Sequence, residues 1–216
     1  IIGNPRNEFP FADILDYRTG SSFASADALE DYLASILGNF SSTGALTNIS
    51  HGLFAQISQS TAITSTGEAS LLGSGVGTLL IPANTLSVGD SYHAKIGGVC
   101  HISGGGSPTM YRIKIKSGTT ILADSGIATG EWSSNLPFEC EIDFTIRTVG
   151  ATGSIQTNAN FVYRRDSNER MVGVMIDDNE AIDTTVDNTL GVTFEFTTFK
   201  TSNSIYSNNF TLVKTY

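Results

Sequence analysis

From Phe138 to Thr148 the chain alternates in character at every residue. Phe138, Cys140, Ile142, Phe144 and Ile146 share one parity; Glu139, Glu141, Asp143, Thr145 and Arg147 share the other. A helix repeats its faces every 3.6 residues, so this period of two reads as a strand with one face on a core and one in water. The pattern recurs. Tyr92, Ala94, Ile96, Gly98 and Cys100 form one set, and Tyr111, Ile113 and Ile115 a second. Ile155, Thr157, Ala159, Phe161 and Tyr163 form a third, and Leu190, Val192, Phe194 and Phe196 a fourth. Tyr206, Phe210 and Leu212 form the last.

Turn signals separate these runs. Ser117-Gly118 reads as a tight hairpin, and 104–108 and 149–153 read as loops. The spacing predicts about nine strands, at 53–59, 76–81, 91–102, 109–116, 119–124, 138–148, 154–164, 190–199 and 205–214. No helical pattern alternates with them. The expected fold is all-β, a jelly-roll-like antiparallel β-sandwich over 51–216. An immunoglobulin-type sandwich is the alternative, but Trp132 lies in a loop-like stretch and not between the cysteines in the expected manner.

Residues 1–50 differ. They carry six acids against two bases and the only good helical pattern, at 25–37. Ser25 suits the N-cap, and Asp27 lies in the first turn, where negative charge meets the positive helix end. Leu29, Tyr32, Leu33, Ile36 and Leu37 then form one apolar stripe, and Gly38 is the expected stop. So short a helix needs a surface to lie on: its own sandwich, a neighbouring subunit or a particle shell. The stripe is the candidate docking element of an N-terminal arm, with 39–50 as linker.

Net charge is −9, and no basic stripe offers the phosphate neutralisation that drives nucleic-acid binding. Arg112, Lys114 and Lys116 on one strand, and Arg164 beside Arg165, read as solvated faces. No apolar run reaches the ~20 residues that span a bilayer. Cys100 and Cys140 both fall at inward positions; they read as two buried thiols, with one disulfide as the alternative.

The remaining motifs are weighed against bland alternatives. Gly73-Ser74-Gly75-Val76-Gly77 precedes a strand, not the helix a phosphate cradle needs, and reads as a bend. Asp177, Asp178, Glu180, Asp183 and Asp187 lack EF-hand spacing; they read as a solvated acidic loop, with Ca²⁺ as the lesser alternative. His93 and His101 share a parity but stand about 25 Å apart along one strand, so they cannot share a metal there. Glu139, Glu141 and Asp143 line one strand face at about 7 Å intervals, the only hint of a glycosidase pair. Trp132 and Tyr111 are candidate platforms for a carbohydrate-binding module, although an inward Tyr111 is the default. No nucleophile motif is present; no enzyme activity, catalytic residue, cofactor or metal site is expected.

Residues 70–99, SLLGSGVGTLLIPANTLSVGDSYHAKIGGV, and the ending NSIYSNNFTLVKTY resemble virus-encoded β-sandwich proteins of large DNA viruses of protists, their virophages and some phages. The resemblance covers roughly 51–216. It implies a jelly-roll virion component located in the particle: a fibre head, vertex or minor capsid protein. It further implies a homo-oligomer, trimeric or pentameric, that contacts other capsid proteins and a host glycan or receptor. It carries over no functional residues.

Overall fold

The structure is a computed structural model that describes residues 15–16, 21–22, 52–103, 109–165, 171–198 and 200–216. The chain divides into two units, Ile1–His51 and Gly52–Tyr216. In the first, β1 (Leu15–Asp16) and β2 (Ser21–Ser22) pair antiparallel. The expected helix at 25–37 and its stripe of Leu29, Tyr32, Leu33, Ile36 and Leu37 lie outside the described residues, as does the 39–50 linker.

The second unit is built of strands. They are β3 (Phe54–Gln56), β4 (Ala69–Ser70), β5 (Gly75–Gly77), β6 (Leu80–Ile81), β7 (Ser91–Ile102), β8 (Thr109–Ser117), β9 (Thr120–Asp124), β10 (Ala128–Gly130), β11 (Ser133–Thr148), β12 (Gly153–Arg164), β13 (Met171–Ile182), β14 (Asn188–Phe196) and β15 (Ser204–Lys214). Among the described residues there is no helix. Seven strands form one antiparallel sheet in the order β13-β12-β11-β7-β15-β3-β5. The second sheet is centred on β8 and β14, with β9 and β10 beside β8 and β4 and β6 beside β14.

The alternation read from the sequence sets what is buried. Phe138, Cys140, Ile142, Phe144 and Ile146 on β11 enter one core, as do Tyr111, Ile113 and Ile115 on β8 and Val192, Phe194 and Phe196 on β14. Both sheets therefore contribute to a single hydrophobic cluster. Phe161 of the large sheet lies 5.7 Å from Tyr111 and 6.0 Å from Phe194 of the small one, and Tyr111 stacks on Phe194 at 5.5 Å.

Four expectations are corrected. The 76–81 strand is two pieces in different sheets: β5 pairs with β3, and β6 with β14. Gly77, at φ +88°, turns the corner; a Cβ there would lie 2.1 Å from the Leu53 carbonyl oxygen. The acidic stretch is a loop only in its second part: Asp177, Asp178 and Glu180 belong to β13, which pairs along its whole length with β12, whereas Asp183 and Asp187 lie in the turn between β13 and β14. Tyr206 is not on the inward parity of Phe210 and Leu212. A bulge between Ser207 and Asn209 shifts the register, so Ile205 and Ser207 face the core before it and Phe210 and Leu212 after it. Finally, β11 starts at Ser133, five residues earlier than the alternation suggests, through an irregularity that holds Asn135 at φ +52°.

Candidate functional site

The outer face of the large sheet carries a set of polar side chains on aligned strands. Its register makes rows, with neighbouring strands about 4.8 Å apart. One row runs Val213, His93, Asp143, Asn158, Asp177; the next runs Thr211, Lys95, Glu141, Asn160, Met175. Within these rows His93 Nδ1 and Asp143 Oδ1 are 2.9 Å apart. Lys95 Nζ reaches Glu139 Oε2 at 2.9 Å and Glu141 Oε1 at 3.2 Å, and the two carboxylates raise its pKa. Gln156 donates through Nε2 to Asp177.

Over β11, β12 and β13 this face dips into a shallow depression of about 280 Å³. Glu141 and Asp143, Asn158 and Asn160, Met175 and Asp177 line it in strand pairs. Two planar amides between carboxylates, with one thioether wall, offer hydrogen-bond donors and acceptors on a rigid base. The sequence exposes Glu139, Glu141 and Asp143 as one face. It does not announce Asn158, Asn160 or Met175, which come alongside only through the pairing of β11, β12 and β13. Of the three carboxylates on the suggested glycosidase face, Glu139 and Glu141 share Lys95 and Asp143 pairs with His93, all on the open face.

The two candidate aromatic platforms separate. Tyr111 is fully buried in the core, because β8 turns its odd-numbered residues inward; its phenol pKa is raised by that burial. Trp132 is 48% exposed between β10 and β11. Its neighbours are anchored. The Glu131 N–H donates to the Tyr163 hydroxyl at 2.6 Å, that hydroxyl donates to the Glu131 carbonyl at 3.1 Å, and buried Ser133 donates to the Arg164 carbonyl at 2.9 Å.

The basic residues of β8 are not the solvated face expected of them. Arg112 makes a two-pronged pair with Asp124, Nε to Oδ1 at 2.7 Å and Nη2 to Oδ2. Lys114 is buried against Glu68, with Glu195 3.6 Å away, and Lys116 reaches Glu68 at 2.8 Å. These carboxylates neutralise the row in place. The acids of the β13 region are likewise dispersed rather than gathered. Asp178 accepts the Asp124 N–H at 2.8 Å, Asp183 the Thr185 N–H at 2.8 Å, and Asp187 the Ala83 N–H at 2.9 Å. No group of three metal-ligating side chains occurs among the described residues. Cys100 and Cys140 are both free and buried. Burial pushes the Cys100 thiol up to about 11 and that of Cys140 to about 12.

No protein family, characterised protein or solved structure was found to match the chain.

Proposed function

We propose that the protein is a virion structural component of jelly-roll type: a capsid-associated vertex, fibre-head or minor capsid protein that assembles through its β body and contacts a host surface. The observation that carries this reading is how the charged side chains are used. On both outer faces they tie neighbouring strands together, as Lys95 does with Glu139 and Glu141 and Glu68 does with Lys114 and Lys116. Such cross-strand ties suit a durable body that works by its surface. The likeness of 70–99 and 203–216 to virus-encoded sandwich proteins supplies the particle. In this reading the chain forms a trimer or pentamer with itself and docks on other capsid proteins. The test is fractionation: peptides of this chain should be recovered from particles purified on a density gradient and washed in high salt. Recovery from the soluble fraction alone would overturn the assignment.

The second reading is a carbohydrate-binding attachment module. It is favoured by the amide- and carboxylate-lined depression and by the exposed indole of Trp132. Because Trp132 is the one tryptophan of the chain, its fluorescence reports that end of the molecule without ambiguity. Binders on a glycan array should change the emission if they stack on the indole. An array without binders removes the reading.

A further inference from the structure

Strand β13 borders the seven-stranded sheet, and its two halves differ. The second half holds Asp177, Asp178 and Glu180, and Asp178 is tied to β9 through the Asp124 N–H. The first half, Met171–Met175, carries no charge and no proline, and its register with β12 runs without a bulge. Charges, prolines and bulges are the usual devices that keep a sheet border from pairing with another chain. None of the three stands on these five residues. They are also open: Met171 is 51% and Met175 82% exposed. Gly173 is exposed too, and the surface a glycine exposes is main chain. Val172 and Val174 are half-buried, packed on the rim of the core.

The five residues read Met-Val-Gly-Val-Met, the same in both directions. When an antiparallel partner extends a sheet, residues that face one another project to the same side, so they must share parity. A two-fold axis through Gly173 meets that condition. Met171 then faces Met175 of a second copy, Val172 faces Val174, and Gly173 faces its own counterpart. Methionine lies against methionine on the outer face and valine against valine on the inner. The acidic halves point away from each other in opposite directions. A register displaced by two residues toward the acidic half would instead set Asp177 against Met171.

We propose that Met171–Met175 is an isologous interface, at which two copies of this chain join β13 to β13 in antiparallel fashion to make one continuous fourteen-stranded sheet. The inference does not rest on the virion reading. A two-fold contact closes at two copies, so it is separate from any ring contact of a trimer or pentamer, and it can join one ring to another.

Sedimentation velocity on the full chain, from low-micromolar to sub-millimolar concentration, tests this. The native chain should show reversible association in even-numbered steps. M171D/M175D sets like charges opposite one another across the axis and should weaken that association roughly tenfold or more. M171K/M175D places opposite charges face to face and should recover it. Both side chains point into solvent within one copy, so unchanged thermal midpoints at dilutions where every protein is monomeric serve as the folding control. A native chain that stays monomeric throughout, or one whose association ignores M171D/M175D, overturns the proposal. Failure of M171K/M175D to recover association overturns the two-fold register and the proposal with it. Particle fractionation reads the virion assignment separately, so the two can fail independently.

Discussion

Glu68 holds two strands of the small sheet with one carboxylate, accepting from Lys114 and Lys116 on β8 and from Thr193 on β14 at 3.0 Å. The two lysine hydrogen bonds hold its pKa at about 2, below the ordinary 4.5. A folded-state pKa lowered in this way means that the carboxylate stabilises the fold fully above pH 4.5 and loses its contribution as pH falls from there through about 2. Glu68→Gln should therefore cost about 1–2 kcal/mol at neutral pH, because it leaves the buried Lys114 ammonium with a weakened partner. Denaturant unfolding at a series of pH values checks it: the gap between the two proteins should narrow as pH falls below 4.5. A gap that is flat with pH would assign the loss to packing. None of this was legible in the sequence. Arg112, Lys114 and Lys116 alternate as any exposed strand face does, and Glu68 lies 46 and 48 residues from the two lysines it binds.

At the scale of elements, register decides the fate of the two thiols. β7 and β11 are neighbours, but Cys140 lies opposite Ile96 and Cys100 opposite Leu136. Four residues of offset separate the cysteines by about 13 Å along the strands, well beyond the ~4.4–6.8 Å between Cα atoms that a disulfide needs. With burial raising both pKa values, a thiol-reactive dye should label neither cysteine in the native protein at mild alkaline pH and both after denaturation. Labelling of one in the native state would mean that its strand opens locally. Sequence parity showed that both cysteines point inward, but only the pairing says they miss each other. β11 and β12 were readable because the inward positions from Phe138 to Ile146 and from Ile155 to Tyr163 keep one parity, with only Thr157 polar among them. β13 was missed because Asp178 and Glu180 take inward-parity positions at which the sequence pattern asks for apolar side chains. The Tyr206 misassignment has a different source: the bulge after Ser207 adds one residue, and a period-two pattern carries no mark of where a residue was added.

For the whole molecule, Phe161 is the meeting point of the sheets. It contacts Tyr111 and Phe194 across the core and Phe138 and Tyr163 within its own sheet. Phe161→Ala should cost about 3–5 kcal/mol, since neighbouring rings on two rigid sheets cannot collapse into the space. Calorimetry should show one cooperative transition at lower temperature; two transitions would mean that the sheets fold independently. The all-β class was readable from periodicity alone, because alternation is a local property. Which strands share a sheet was not, because β7 borders β11 and β15, both far along the chain. The same was true of the outer face: Glu139, Glu141 and Asp143 declare themselves, whereas Lys95, His93 and Asn158 join them only through pairing. That arrangement has a consequence for synthesis. β15 occupies the slot between β7 and β3, yet among the described strands it comes last in chain order. Until it emerges, the large sheet exists as two fragments with raw flanks, and the nascent chain is a natural client for chaperones. Closure of the body thus waits on the latest-made of the described strands, which must slide into a gap between the two fragments.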